Sequence, residues 1–237
     1  MDRDQIAAIQ ESPAVRRLVQ REPLTRSVYQ VVIDMLMTHT LEPGARLSIE
    51  ELARTLGVSQ TPIREALARV EADGLIIKEP GRSYTVAPLM GIEQVRDLIE
   101  LRMLVEPAGA GKAALRATSP EISELRAQSR SGGSGHKNTA AANRLDMMYD
   151  ATFHATVATL GGNQIICDML ARLRSHMHTY RLYYHSGHYA VTKNEHIAVV
   201  QAIARRDSDG AEEAMRVHLT RGLERMEQFV ASAPDYK

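Results

Sequence analysis

The sequence predicts a mainly α-helical chain in two parts: three helices with a small β-hairpin, then an all-α antiparallel helical bundle. Three observations carry that expectation. Apolar residues recur at the helical period from residue 27 to residue 70 and again from residue 91 to residue 231. The one stretch that abandons this period, residues 74–86, holds two short apolar runs around Pro80-Gly81-Arg82-Ser83, the pattern of a hairpin. The chain has 237 residues, 44% of them hydrophobic and 24% charged, which is enough for two separate cores in a globular protein.

Composition excludes several classes. No stretch approaches the ~20 apolar residues of a membrane span, and the start MDRDQIAAIQ has acids early and no apolar run of the kind that leads secretion. The single Cys167 forms no internal disulfide, so a reducing, cytoplasmic setting is expected. Net charge is zero, and residues 1–88 hold 11 Lys/Arg against 12 Asp/Glu. Bulk charge therefore gives no support to nucleic-acid binding, and such a reading must rest on where particular residues point.

Residues 1–24 read as a polar N-terminal extension with a weak amphipathic patch, followed by a first unit over residues 25–88. Val28, Val31, Val32, Met35 and Leu36 form a helical stripe that stops at Leu41-Glu42-Pro43-Gly44. A second stripe, Ile49, Leu52, Ala53 and Leu56, closes at Gly57, a residue that tolerates the left-handed turn between helices. A third helix starts at once. Ser59 or Thr61 serves as its cap, Pro62 fits its first turn, and Ile63, Ala66, Leu67 and Val70 are its buried stripe. Gln60, Thr61 and Arg64 are left on or beside the exposed face of its first turns. That is the geometry of a helix-turn-helix, whose second helix leads with its N-terminal end into the major groove. The hairpin after it is a wing with a basic tip. The plainer reading of these polar residues, and of Arg54, is a solvated helix face.

The run ELARTLGVSQTPIREALARVEADGLI, with LEPGARL before it and EPGRSYTVAP after it, resembles the winged helix of the GntR family of bacterial transcription regulators. That resemblance implies operator contacts from Ser59, Gln60, Thr61 and Arg64, a phosphate contact from Arg54, and a wing contact from Gly81 and Arg82. Gln60 stands where many relatives carry Arg, and Gln favours adenine where Arg favours guanine.

Residues 91–231 read as a second, wholly helical unit, with helices expected near 92–105, 120–129, 139–159, 164–185, 192–206 and 209–231. In the first of these, Arg102 falls near the apolar stripe of Ile92, Val95, Leu98, Ile99 and Val105, and an arginine facing a core needs an anionic partner. Glu106, one turn on, is one candidate and a ligand carboxylate is the other. Asp150 and His154, four apart, share one helical face, and His196 and His218 fall on later amphipathic segments. Folded together, three imidazoles and a carboxylate close most of a metal's coordination shell. Each histidine alone reads more simply as a packed or surface residue. His176 with His178 and His185 with His188 have metal-compatible spacing but nothing places a further ligand beside them, and Tyr180, Arg181 and Tyr183 stay open between pocket lining and surface.

The stretches DATFHATVATLGGN, NEHIAVVQAIARRD and EEAMRVHLTRG resemble the metal-binding members of the FCD effector domain of the FadR subfamily. By that resemblance Asp150, His154, His196 and His218 bind a divalent ion, with coordination positions left for a small carboxylate and Arg102 near the pocket. Zinc is the first expectation for such ligands, with nickel, manganese and iron as alternatives. The implied protein is a homodimeric repressor on a palindromic DNA operator, controlled by a small organic acid, with no enzymatic role and no membrane partner. Two other readings stand beside it: a regulator for which the metal is itself the signal, and a metallohydrolase using the same ligands to activate water.

Overall fold

The computed structural model describes residues 13–80, 83–131, 140–183 and 189–232. The chain divides into two compact units, one ending at Pro88 and the other beginning at Leu89.

The first unit contains helix α1 (Pro13–Met37), strand β1 (Arg46–Leu47), helices α2 (Ile49–Leu56) and α3 (Gln60–Ala72), and strands β2 (Ile76–Lys78) and β3 (Tyr84–Val86). Helix α1 begins well before Ser27, so much of the stretch read as a polar lead is helical. The cap of α2 is Ser48, whose hydroxyl accepts from the Glu51 amide, and the helix ends at Gly57 in the left-handed conformation (φ 66°). Ser59 occupies the cap position of α3 without a capping hydrogen bond from its side chain, and Thr61 lies inside the helix. The wing holds one more strand than the expected hairpin. Arg46 and Leu47 pair antiparallel with Thr85 and Tyr84, giving the order β1-β3-β2. A two-residue strand has no periodicity to read, which is why the sequence concealed it. The core joins Val28, Val32, Ile33 and Leu36 of α1 to Ile63, Ala66, Leu67 and Val70 of α3, over Leu75, Ile76 and Val86. Val31, expected inside, is 39% exposed.

The second unit is helical throughout its described residues: α4 (Ile92–Arg116), α5 (Ser119–Ser131), α6 (Ala140–Gly161), α7 (Gln164–Leu173), α8 (Ser175–Tyr183), α9 (Tyr189–Ala204) and α10 (Ser208–Ser232). The single helix expected over residues 164–185 is two, broken at Arg174, whose φ of 47° is left-handed. Asn163 opens the first of them. Its Oδ1 accepts from the Ile166 amide and caps α7, while the turn belongs to Gly162 at φ 72°. Val95, Ile99, Ala110 and Ala113 of α4 pack with Phe153 and Val157 of α6, Val199 and Ile203 of α9, and Met215 and Leu219 of α10. Small residues let α4 and α6 approach closely: a Cβ built on Gly161 falls 2.6 Å from the Gly109 carbonyl oxygen. That crossing brings Glu106 of α4 beside His154 of α6 inside the bundle.

Candidate functional site

Asp150 and His154 stand one turn apart on α6, His196 lies on α9 and His218 on α10. Their ligand atoms all lie within 4.8 Å of one another, and among the described residues no other three His, Cys, Asp or Glu converge in this way. The four predicted ligands are thus one cluster. All three histidines are buried, and Asp150 is partly exposed.

Three distances inside the cluster are near those of a coordination shell. His154 Nε2 lies 3.1 Å from His218 Nε2, and Asp150 Oδ1 lies 3.4 Å from His196 Nε2 and 3.8 Å from His154 Nε2. Ligands ~2.1 Å from one ion in a tetrahedral shell stand roughly 3.4 Å apart. The hydrogen-bonding chemistry agrees. His154 Nδ1 lies 2.5 Å from Glu106 Oε2, and His218 Nδ1 lies 2.9 Å from Glu195 Oε2. Carboxylates only accept, so each ring donates from Nδ1 and, as a metal ligand, turns its Nε2 inward. Two Nε2 atoms then face each other at 3.1 Å, and His196 Nε2 is buried with no hydrogen-bond partner. An orphaned buried nitrogen costs free energy unless a partner such as a cation sits beside it. These residues fit a divalent ion.

Electrostatics keep His196, His218 and Asp150 in their binding forms. Burial lowers His218 to about 4, against an ordinary 6.5, and lowers His196 in the same direction, so both rings are neutral near pH 7. Burial alone would raise Asp150, yet the three histidines hold its carboxyl well below the usual range. Glu106 is likewise held low against its burial, by Arg102 first and His154 second. Glu195 falls to about 2 under His218 and Arg225, again against its burial.

Arg102, 5% exposed, donates from Nε to Glu106 Oε1 at 2.5 Å. The nearer of its two candidate partners is therefore present, while its Nη groups make no hydrogen bond among the described residues. Sequence reasoning named Glu106 only as a partner for arginine and missed its second oxygen on His154. It missed Glu195 and Arg225 altogether. The available signals were an acid next to His196 in the NEH triplet and an arginine seven residues, two helical turns, after His218. Beside the cluster a cleft is lined by Gln128, Tyr149, Thr152, Phe153, Lys193 and His196, so one ligand histidine forms part of its wall. Arg181, left open from sequence, is buried at 1% exposure, whereas His185 and His188 and the side chains of His176, Tyr180 and Tyr183 lie outside what is described.

In the first unit Arg54, Ser59, Gln60, Thr61 and Arg64 are all exposed. Gln60 Oε1 accepts from Arg64 Nη2 at 3.1 Å, so two expected base readers lie side by side along α3. Behind them Thr25 binds Glu65 at 2.8 Å and Tyr29 binds Asp73 at 2.6 Å, tying α1 to the reading helix and its C-terminal end. Gly81 and Arg82 fall outside the described residues.

Residues 24–86 match the bacterial regulatory proteins of the gntR family, and residues 97–221 match the FCD domain. The HTH-type transcriptional repressor RspR of Escherichia coli (strain K12) is 25% identical over 221 residues, covering 91% of this chain and 94% of that protein. The HTH-type transcriptional repressor NanR of Klebsiella aerogenes is 27% identical over 229 residues, covering 86% and 85%. The solved structure of E. coli McbR/YncC superimposes with a TM-score of 0.66 at 22% identity, covering 86% of this chain and 97% of the other. A GntR regulator from Rhodococcus sp. RHA1 superimposes with a TM-score of 0.65 at 20% identity, covering 88% and 98%. A reading helix on a winged unit, followed by an FCD domain over more than half the chain, leaves no room for the metallohydrolase alternative: the protein belongs to the GntR family of DNA-binding transcriptional regulators, in its FCD-containing branch.

Proposed function

We propose that this regulator is a cytoplasmic repressor that binds a palindromic operator as a homodimer and is controlled by a small organic acid at a divalent ion held by Asp150, His154, His196 and His218. The observation that carries the reading is the pair of Nε2 atoms facing each other at 3.1 Å beside the orphaned His196 Nε2. Zinc suits three imidazoles and one carboxylate best, with nickel, manganese and iron as alternatives. When bound, the ion supplies a positive centre to which a carboxylate can attach. The cleft along His196 supports entry of a small molecule at that centre, and Arg102, whose Nη groups make no hydrogen bond among the described residues, is the candidate partner of the same acid.

On the DNA side, Gln60, Thr61 and Arg64 read base edges, while Ser59, Arg54 and the wing residues Gly81 and Arg82 hold the backbone. Dimerisation is supported by a stripe on α4 at heptad spacing. Leu101, Leu104, Ala108 and Leu115 follow one another along it, with Leu104 71% and Leu115 67% exposed. The acid shifts operator affinity only to the extent that it binds one arrangement of the protein better than the other.

Thermal-shift screening of small organic acids against metal-loaded protein tests the reading, because a true effector raises the melting temperature by mass action. Shifts that vanish in a His196→Ala, His218→Ala double variant are expected; shifts that persist there would put the acid elsewhere. A melting temperature and operator affinity that follow free metal, with no acid acting, would make the ion itself the signal.

A further inference from the structure

Two of the three cluster histidines are held from behind in the same way. Glu106 receives His154 Nδ1 on Oε2 at 2.5 Å and Arg102 Nε on Oε1 at 2.5 Å. Glu195 receives His218 Nδ1 on Oε2 at 2.9 Å, and Arg225 grips both of its oxygens, Nη1 on Oε1 at 2.7 Å and Nη2 on Oε2 at 2.9 Å. The Arg102, Glu106 and Glu195 side chains are 7%, 3% and 4% exposed and that of Arg225 is 16%, so both carboxylates are buried and only the second guanidinium reaches toward water. His196 is held differently. Its ring stacks on Phe153 at 3.8 Å and 18°, and no carboxylate backs its Nδ1 among the described residues.

We infer that Arg102–Glu106 and Arg225–Glu195 are matched positioning pairs, fixing His154 and His218 in the Nδ1–H tautomer so that both Nε2 lone pairs point at the ion before it arrives. The inference rests on the metal reading above. Each member of a pair has a defined job. The carboxylate selects the tautomer and fixes ring rotation, because it can only accept. The guanidinium keeps that carboxylate from being an unpaired buried charge, which would otherwise be expelled or protonated. A Glu–Arg pair adds no net charge, so two imidazoles are oriented while the only formal charge among the ligands stays on Asp150. One pair on α4 backs a ring on α6, and the other, from α9 and α10, backs a ring on α10, so four helices must be docked for both lone pairs to be aimed. Arg102 therefore acts on the metal through Glu106 and His154, whatever its Nη groups do toward an acid.

Nitrogen NMR of the imidazoles in metal-free, full-length protein reads this directly. His154 and His218 are expected as Nδ1–H tautomers with bare Nε2 before any metal is added; an Nε2–H tautomer at either would overturn the inference. Glu106→Gln and Glu195→Gln are expected to weaken zinc binding about 10-fold to 100-fold in competition with a chromophoric chelator. Metal-free melting should fall in both variants, most in Glu106→Gln, because Arg102 loses its buried anionic partner, so zinc affinity is read at a temperature where circular dichroism shows wild-type helical content; Glu227→Gln, an exposed partner of Arg96, should bind zinc unchanged. Wild-type zinc affinity in both Gln variants would overturn the pairs. If instead wild type takes up none of zinc, nickel, manganese or iron, the metal reading fails first, while the tautomers still report whether the pairs orient the rings. Should a Gln variant not fold, the wild-type tautomers decide.

Discussion

Replacing Gly161 by alanine tests how the bundle delivers its polar groups. A Cβ there falls 2.6 Å from Gly109 O, 3.2 Å from Gly109 Cα and 3.3 Å from its carbonyl carbon, all backbone atoms that cannot rotate away. Helices α4 and α6 must separate for the methyl to fit, at the ~1–3 kcal/mol typical of overpacking. At ~2–4 °C per kcal/mol for a unit of this size, melting of metal-free protein should fall by roughly 2–12 °C. Gly109→Ala is the matched control, since its Cβ meets nothing within 4 Å. It should be neutral or stabilise by up to ~1 kcal/mol through helix propensity. The same separation pulls Glu106, one turn before Gly109, away from His154, so Gly161→Ala should also weaken zinc binding. Calorimetric melts of both variants decide the matter. A Gly161→Ala protein that melts at or above wild type would refute the close-crossing argument.

Acidity should act on metal-free protein in a defined window. Burial holds His218 at about 4 in the folded chain, so below pH 6.5 the unfolded chain binds a proton that the folded chain refuses. Stability is therefore complete above pH 6.5 and falls as pH drops toward 4, by up to about 3 kcal/mol from this residue, with His196 adding in the same direction. Urea midpoints that stay flat from pH 7 to 4.5 would contradict this. On the DNA side, Arg64→Ala should cost ~1–3 kcal/mol at the operator and less on a scrambled duplex, measured by fluorescence anisotropy; equal loss on both would make Arg64 a phosphate contact. Leu104→Glu should shift the protein from dimer to monomer in light scattering, and a monomeric wild type would remove the α4 stripe from the account.

Much of this was readable in residue order because the signals were local. The α2–Gly57–α3 turn, the buried stripe of α3 and the Asp150–His154 pair each depend on spacings of a few residues, which period and turn chemistry reveal. What stayed hidden was set by tertiary packing. Strand β1 is two residues long and exists because β3 lies beside it. Arg174 breaks a helix whose apolar pattern runs straight through the break. Glu195 and Arg225 looked like ordinary charged residues of amphipathic helices until folding placed them behind His218. Arg102 shows the boundary: its burial followed from its place in the stripe, whereas the sharing of Glu106 with His154 needed the crossing of α4 and α6.

The most direct test of the central claim is an operator titration of one protein in three states: metal-free, zinc-loaded, and zinc-loaded with the acid that gives the largest thermal shift. The account predicts that the acid weakens operator binding of zinc-loaded protein by about 5-fold to 150-fold, the range of a 1–3 kcal/mol coupling. It predicts no acid effect on metal-free protein or on the His196→Ala, His218→Ala variant. An acid effect of the same size in all of them, or none in any, would contradict it.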